Sequence, residues 1–150
     1  MKRIGFISDL HLDSNQFGDF ERQTLRQLLK EEEIDHLHIA GDLSNDLTKI
    51  SLPFIADLKK DFSLSFNLGN HDMLGLSEQE ISNYDFQVQQ FGRTKLVSFS
   101  GWYDYSFVPE KSMEEHLRTK TNFWFDRRLE RQLDDPSITA QTLQELEELL

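Results

Sequence analysis

Residues 62–72 read FSLSFNLGNHD, and this stretch decides the fold. Phe62 to Leu68 has the content of a strand, and it stops at Gly69-Asn70-His71-Asp72, a polar turn whose glycine permits an unusual backbone angle. The same arrangement occurs twice upstream. Arg3 to Ser8 reads as a short buried strand running into Asp9-Leu10-His11, and His36 to Ala40 as a second strand ending at Gly41-Asp42. Helical periodicity fills the gaps. Phe20, Leu25, Leu28 and Leu29 fall largely on one face between about Asp19 and Glu33, and Thr48 to Lys60 predicts a second helix whose first turn is limited by Pro53. Strands alternating with helices indicate an α/β fold with a parallel sheet.

Loops beyond the carboxyl ends of parallel strands gather along one edge, so Asp9, His11, Asp42, Asn70 and His71 are expected to converge. A pair of divalent metals about 3.5–4 Å apart needs a bridging carboxylate and separate terminal ligands, and activates a water for in-line attack on phosphorus. Asp9 and His11 alternate around Leu10, so in extended backbone they share a face and grip one cation. Asp42 suits the bridge, and the amide oxygen of Asn70 reaches the second metal. His71, if not a ligand, stabilises phosphoryl charge or protonates the departing alkoxide, with Asp72 holding its ring.

Farther along, Ser77 to Gln90 predicts a helix with Ser77 and Glu80 as a capping box, and Thr94 to Phe99 a fourth strand. Gly101 to Phe107 is an aromatic loop or short strand, Glu110 to Lys120 a helix, and Ile138 to Leu150 a helix begun near Ser137. With no linker, repeat or low-complexity tract, residues 1–150 read as a single domain.

Charge and composition narrow the function. A formal net charge of −11 without basic runs argues against non-specific nucleic-acid binding, and no segment is long and apolar enough for a bilayer. The chain is expected in the cytoplasm and not at a membrane. Without cysteine, a metal must be held by His, Asp, Glu or Asn. His36 and His38 lie upstream of the strand end and read as structural, and His116 as solvated or part of a helix face. Trp102, Tyr103, Tyr105, Phe107, Phe123, Trp124 and Phe125 read as core aromatics rather than a base-stacking rim, and Glu31 to Glu33 as a solvated helix end.

Asp9-Leu10-His11, Gly41-Asp42 and Gly69-Asn70-His71-Asp72 resemble the first three signature blocks of the calcineurin-like metallophosphoesterases. A specified tetrapeptide such as Gly-Asn-His-Asp arises by chance roughly once in 10⁵ positions. The resemblance implies an α/β/β/α sandwich with a mostly parallel first sheet, and two divalent ions (Mn, Fe, Zn or similar). It implies Asp9 and His11 on metal one, Asp42 bridging, Asn70 on metal two and His71 assisting catalysis. Phosphomonoesters or phosphodiesters would be the substrates, hydrolysed by a hydroxide bridging the metals. Gly101 to Tyr105 and Phe123 to Asp126 also look like segments of some bacterial members.

That family completes its site with a later His and a Gly-His-x-His block, whereas the only histidine after His71 here is His116. The chain is therefore expected to be C-terminally truncated, with the second sheet missing. An apolar sheet face would then be uncovered, favouring self-association. The rival to an active hydrolase is a non-catalytic binding or regulatory module, or a half-site completed by a partner chain.

Overall fold

A computed structural model describes residues 2–150. Strands β1 (Ile4–Ile7), β2 (His36–Ala40) and β3 (Ser63–Asn67) form a parallel sheet in that order, with Ile4 opposite His36, which is opposite Ser63. Helices α1 (Asp19–Glu31) and α2 (Leu52–Leu58) make the crossovers. One face of the sheet takes the helices. Leu37 and Ile39 pack there with Leu29, Phe54, Ile55 and Leu58, and each fully buried aliphatic contributes about 1.5–3 kcal/mol.

Glu21 closes the N-terminus of α1 by accepting from the Gly18 N–H at 2.9 Å. The apolar stripe is narrower than the periodicity implies: Leu25 and Leu29 face the sheet, whereas Phe20 and Leu28 are exposed at its margin. Arg26 ties α1 to the end of α2 through Asp57 and Asp61 at 2.7 and 2.9 Å. The expected second helix starts as a π-turn over Leu47–Ser51, in which the Ser51 N–H bonds back to the Asp46 carbonyl. Pro53 cannot donate to the regular ladder, and the widened turn carries Ser51 into the interior.

The other sheet face is mixed rather than apolar. Ile4 and Phe6 share it with His36, His38, Ser63, Ser65 and Asn67. Hydrogen bonds there run in one direction. Asn67 Nδ2 donates to the Leu68 carbonyl, so Asn67 Oδ1 accepts from His38 Nε2–H at 3.0 Å. His38 Nδ1 then accepts from the Ser65 hydroxyl, which accepts from His36 Nε2–H, and His36 Nδ1 accepts from Ser63. Burial holds both imidazoles below their ordinary pKa. Both histidines are structural, as their place upstream of the strand end implies.

Residues 77–90 differ from expectation. The Ser77–Glu80 capping box forms, but the helix it starts, α3 (Glu78–Ser82), is short. Gln87–Phe91 is strand β4, antiparallel to β5 (Thr94–Ser98), across a turn with Gly92 at φ +61°. Cross-strand pairing outweighs helical propensity here. The expected fourth strand thus belongs to a hairpin outside the parallel sheet, and its Phe91 lies against His36 at 4.7 Å.

Helix α4 (Met113–Phe123) leads through a 3₁₀ turn at Phe125–Arg128 to α5 (Asp135–Leu149), which starts at Asp135 rather than near Ser137 because Asp134 caps it. His116 is buried, stacked on Tyr105 at 4.6 Å and donating to the Val108 carbonyl, which corrects the solvated reading. Among the aromatics, Phe107 and Phe123 are exposed, while Trp102, Tyr103, Tyr105 and Trp124 pack together. Buried Asp135 gathers that cluster, accepting from Trp102 Nε1 at 2.7 Å, from the Tyr105 hydroxyl and from Lys120 at 2.6 Å.

Burial pushes the Asp135 carboxyl up, but Lys120, Tyr105 and Trp102 outweigh it and hold it below its reference value of 3.8. A depressed folded pKa means the contribution is present above that value and disappears as pH falls through the folded pKa. Asp135→Ala should therefore cost about 3–5 kcal/mol at pH 7, because it strands the Lys120 charge. Urea unfolding at pH 7 and under strong acid should show the difference between variant and wild type shrinking in acid; a pH-independent difference would refute the assignment.

Candidate metal centre

All three parallel strands end at one edge of the sheet, and their loops bond to one another. The amides of Asp9, His11 and Leu12 donate to the carbonyls of Gly41, Asp42 and Leu43 at 3.2, 3.1 and 2.7 Å. The second and third loops approach more closely still. A Cβ on Gly41 would lie 2.4 Å from the Gly69 nitrogen, and one on Gly69 would lie 2.1 Å from Asp42 Oδ1, so only glycine fits either place.

The expected extended backbone around Leu10 is corrected: Asp9 and His11 have φ of +57° and +41°, and Asp42 has +55°. Each left-handed non-glycine residue costs about 1–3 kcal/mol. Bonding to the second loop requires the turn, and those bonds sustain it.

One ligand atom from each of His11, Asp42 and His71 falls within 4.8 Å of the others. The two rings meet edge to face at 4.6 Å. Two imidazole nitrogens and a carboxylate oxygen suit a Zn, Mn or Fe ion, so the donor set fits a divalent metal. Asp9 does not belong to that triad. Asp9 accepts from the Ser8 hydroxyl, and Asn70 donates its side-chain amide to Asp126 at 2.6 Å.

His71 has its own supports. Its backbone N–H donates to Asp42 Oδ1 at 3.1 Å, and its Nδ1 meets Asn45 Oδ1 at 2.9 Å. Asn45 donates through Nδ2 to Asp13 at 2.8 Å, so its oxygen must be the atom facing His71. Nδ1 therefore carries the proton, leaving Nε2 free. Burial pushes the Asp13 carboxyl up, but the Asn45 donors outweigh it and hold the group below its ordinary value.

A family profile described as calcineurin-like phosphoesterase matches residues 2–146. The chain belongs to that family. Among solved structures, phosphopantetheinyl hydrolase from Mycobacterium tuberculosis superposes with a TM-score of 0.61 at 19% identity, over 98% of this chain and 61% of that one. This likeness bears on fold, and the present chain spans less than two thirds of its neighbour's length. No curated protein sequence matches it significantly. Among the described residues, no helix is long and apolar enough to cross a membrane.

Asp72 does not hold the His71 ring, contrary to the expectation for it. Its carboxylate is buried and accepts from the amides of Leu43, Ser44 and Gly69 at 3.1, 3.2 and 3.1 Å, and from the Ser51 hydroxyl at 3.0 Å. Asn45 takes the ring-orienting place instead. Its position three residues after Asp42, and that of Asp13 two after His11, were visible in the sequence but carried no distinguishing signal. Asp126 lies 56 residues from Asn70, beyond any local pattern.

Asp72→Asn removes one acceptor oxygen and presents an NH₂ to a backbone donor. The expected loss is about 1–3 kcal/mol for each donor left unsatisfied, measured by chemical denaturation. Unchanged stability with an altered His71 titration would restore the ring-orienting role.

Proposed function

We propose that this phosphoesterase hydrolyses phosphoric esters at a centre for two divalent ions, with Asp9, His11, Asp42 and Asn70 as ligands and His71 as proton donor. The observation carrying this reading is the convergence of His11, Asp42 and His71. Mn, Fe or Zn ions would supply an activated water and offset charge on the phosphoryl group. The protein's own work is placement and proton handling. Asp42 would hold the ions through its two carboxylate oxygens, and the His71 N–H on Oδ1 orients it. His71 keeps its Nδ1 proton on Asn45 and, when protonated, offers Nε2–H to the departing alkoxide. Asp13 maintains that orientation, and Asp72 holds the second and third loops together. We place this activity in the cytoplasm, consistent with a chain that has no cysteine.

The test is Mn-dependent hydrolysis of a bis-aryl phosphodiester, an aryl monoester and a phosphopantetheinyl ester, the last because the structural neighbour is named for that group. Asp42→Asn should abolish turnover, and His71→Ala should lower kcat by about 10²–10⁴-fold. Equal activity in wild type and Asp42→Asn would sink the reading.

A second reading is favoured by the triad itself, whose three convergent donors are enough for one ion. The chain is then a binding module, or a half-site completed by a partner or second copy, with exposed Phe6 on the edge strand β1 available for contact. One bound ion without turnover, gained only on self-association, would favour this reading over the first.

A further inference from the structure

After α4, the segment Trp124-Phe125-Asp126 reaches back to the third loop. Asp126 is buried and accepts from Asn70 Nδ2 at 2.6 Å and from the Tyr103 hydroxyl at 3.2 Å. A carboxylate at neutral pH only accepts, so the Asn70 amide has its nitrogen on Asp126 and its carbonyl oxygen turned away. One residue earlier, Phe125 stacks on the His71 ring, with centroids 3.7 Å apart and planes 19° from parallel. Arg128 lies over that phenyl ring at 4.9 Å. Two consecutive residues of the turn therefore hold two consecutive residues of the loop. The grip is itself anchored, because the Trp124 ring meets Tyr103 edge-on at 5.1 Å.

We propose that this turn is a clamp on the metal centre, with Asp126 the positioning residue that presents the Asn70 carbonyl oxygen to a cation and Phe125 fixing the plane of His71. The inference rests on the metal-centre reading above. Only the amide oxygen of Asn70 can ligate a cation, so its usefulness as a ligand depends on how that amide is turned. A charge-assisted bond to Nδ2 sets that rotation and polarises the amide, placing more negative charge on the oxygen. The clamp comes from the C-terminal half of the chain and makes the third loop's geometry depend on the aromatic cluster around Tyr103.

Two readouts test this on the full chain. The first needs no metal: the side-chain amide resonance of Asn70, identified by its loss in Asn70→Asp, should shift in Asp126→Ala and shift less in Tyr103→Phe. The second is Mn titration followed by electron paramagnetic resonance. Acceptance from Asn70 sets the rotation, so Asp126→Ala should weaken one bound ion about 10- to 100-fold, while Asp126→Asn, which keeps an oxygen acceptor for Asn70 but not the charge, should recover part of that loss. Wild-type Mn affinity and an unmoved resonance in Asp126→Ala would overturn the clamp and leave the metal centre standing. Wild type binding no more Mn than Asp42→Asn would overturn both. Should Asp126→Ala not fold, Tyr103→Phe decides: a smaller weakening in the same direction supports the clamp, and no change in affinity or resonance overturns it.

Discussion

The carboxylate of Asp72 sits between the second and third loops, surrounded by three backbone amides and one hydroxyl. Burial pushes its pKa above the ordinary carboxylate value, and those donors pull it back only in part. Keeping it ionised at neutral pH therefore costs stability. In return, Leu43, Ser44 and Gly69 are locked in register, and the glycine contact between Gly41 and Gly69 becomes possible. The left-handed turns at Asp9, His11 and Asp42 are sustained by this arrangement. Ser51 takes part only because the π-turn before α2 aims it inward.

The C-terminal half uses the same device, a buried carboxylate that collects donors. Asp135 gathers Trp102, Tyr105 and Lys120, and Asp126 gathers Asn70 and Tyr103. Burial and the nearby carboxylates raise the pKa of both tyrosines, so they remain protonated donors throughout the physiological range. A chain with net charge −11 thus buries several of its carboxylates and neutralises few of them with cations. Hydrogen bonds from neutral groups carry most of that burden.

The far face of the parallel sheet shows why histidines in strands are not evidence of a metal site. His36 and His38 alternate as a ligand pair would, yet every ring nitrogen is engaged by Ser63, Ser65 or Asn67. No lone pair is left for an ion. His11 and His71 differ because they stand past the strand ends, where loops from three strands meet.

Strand β2 coincides with the expected range of residues 36–40, and β1, β3 and α1 lie within a few residues of theirs, because local periodicity and propensity act over distances shorter than an element. The three-loop convergence was also legible, since parallel strands must place their carboxyl ends together. Residues 87–91 were not, because their strand exists only by pairing with residues 94–98. Nor were the partners of His71 and Asn70: Asn45 and Asp126 earn their roles from positions that folding sets, not from spacing. The sequence by itself determined an α/β chain whose strand ends carry residues of the types that ligate metals. Tertiary structure alone decided that Asp72 staples loops, that Asn45 holds the ring and that the third loop lies under Phe125, because these depend on which donors and rings burial brings within contact.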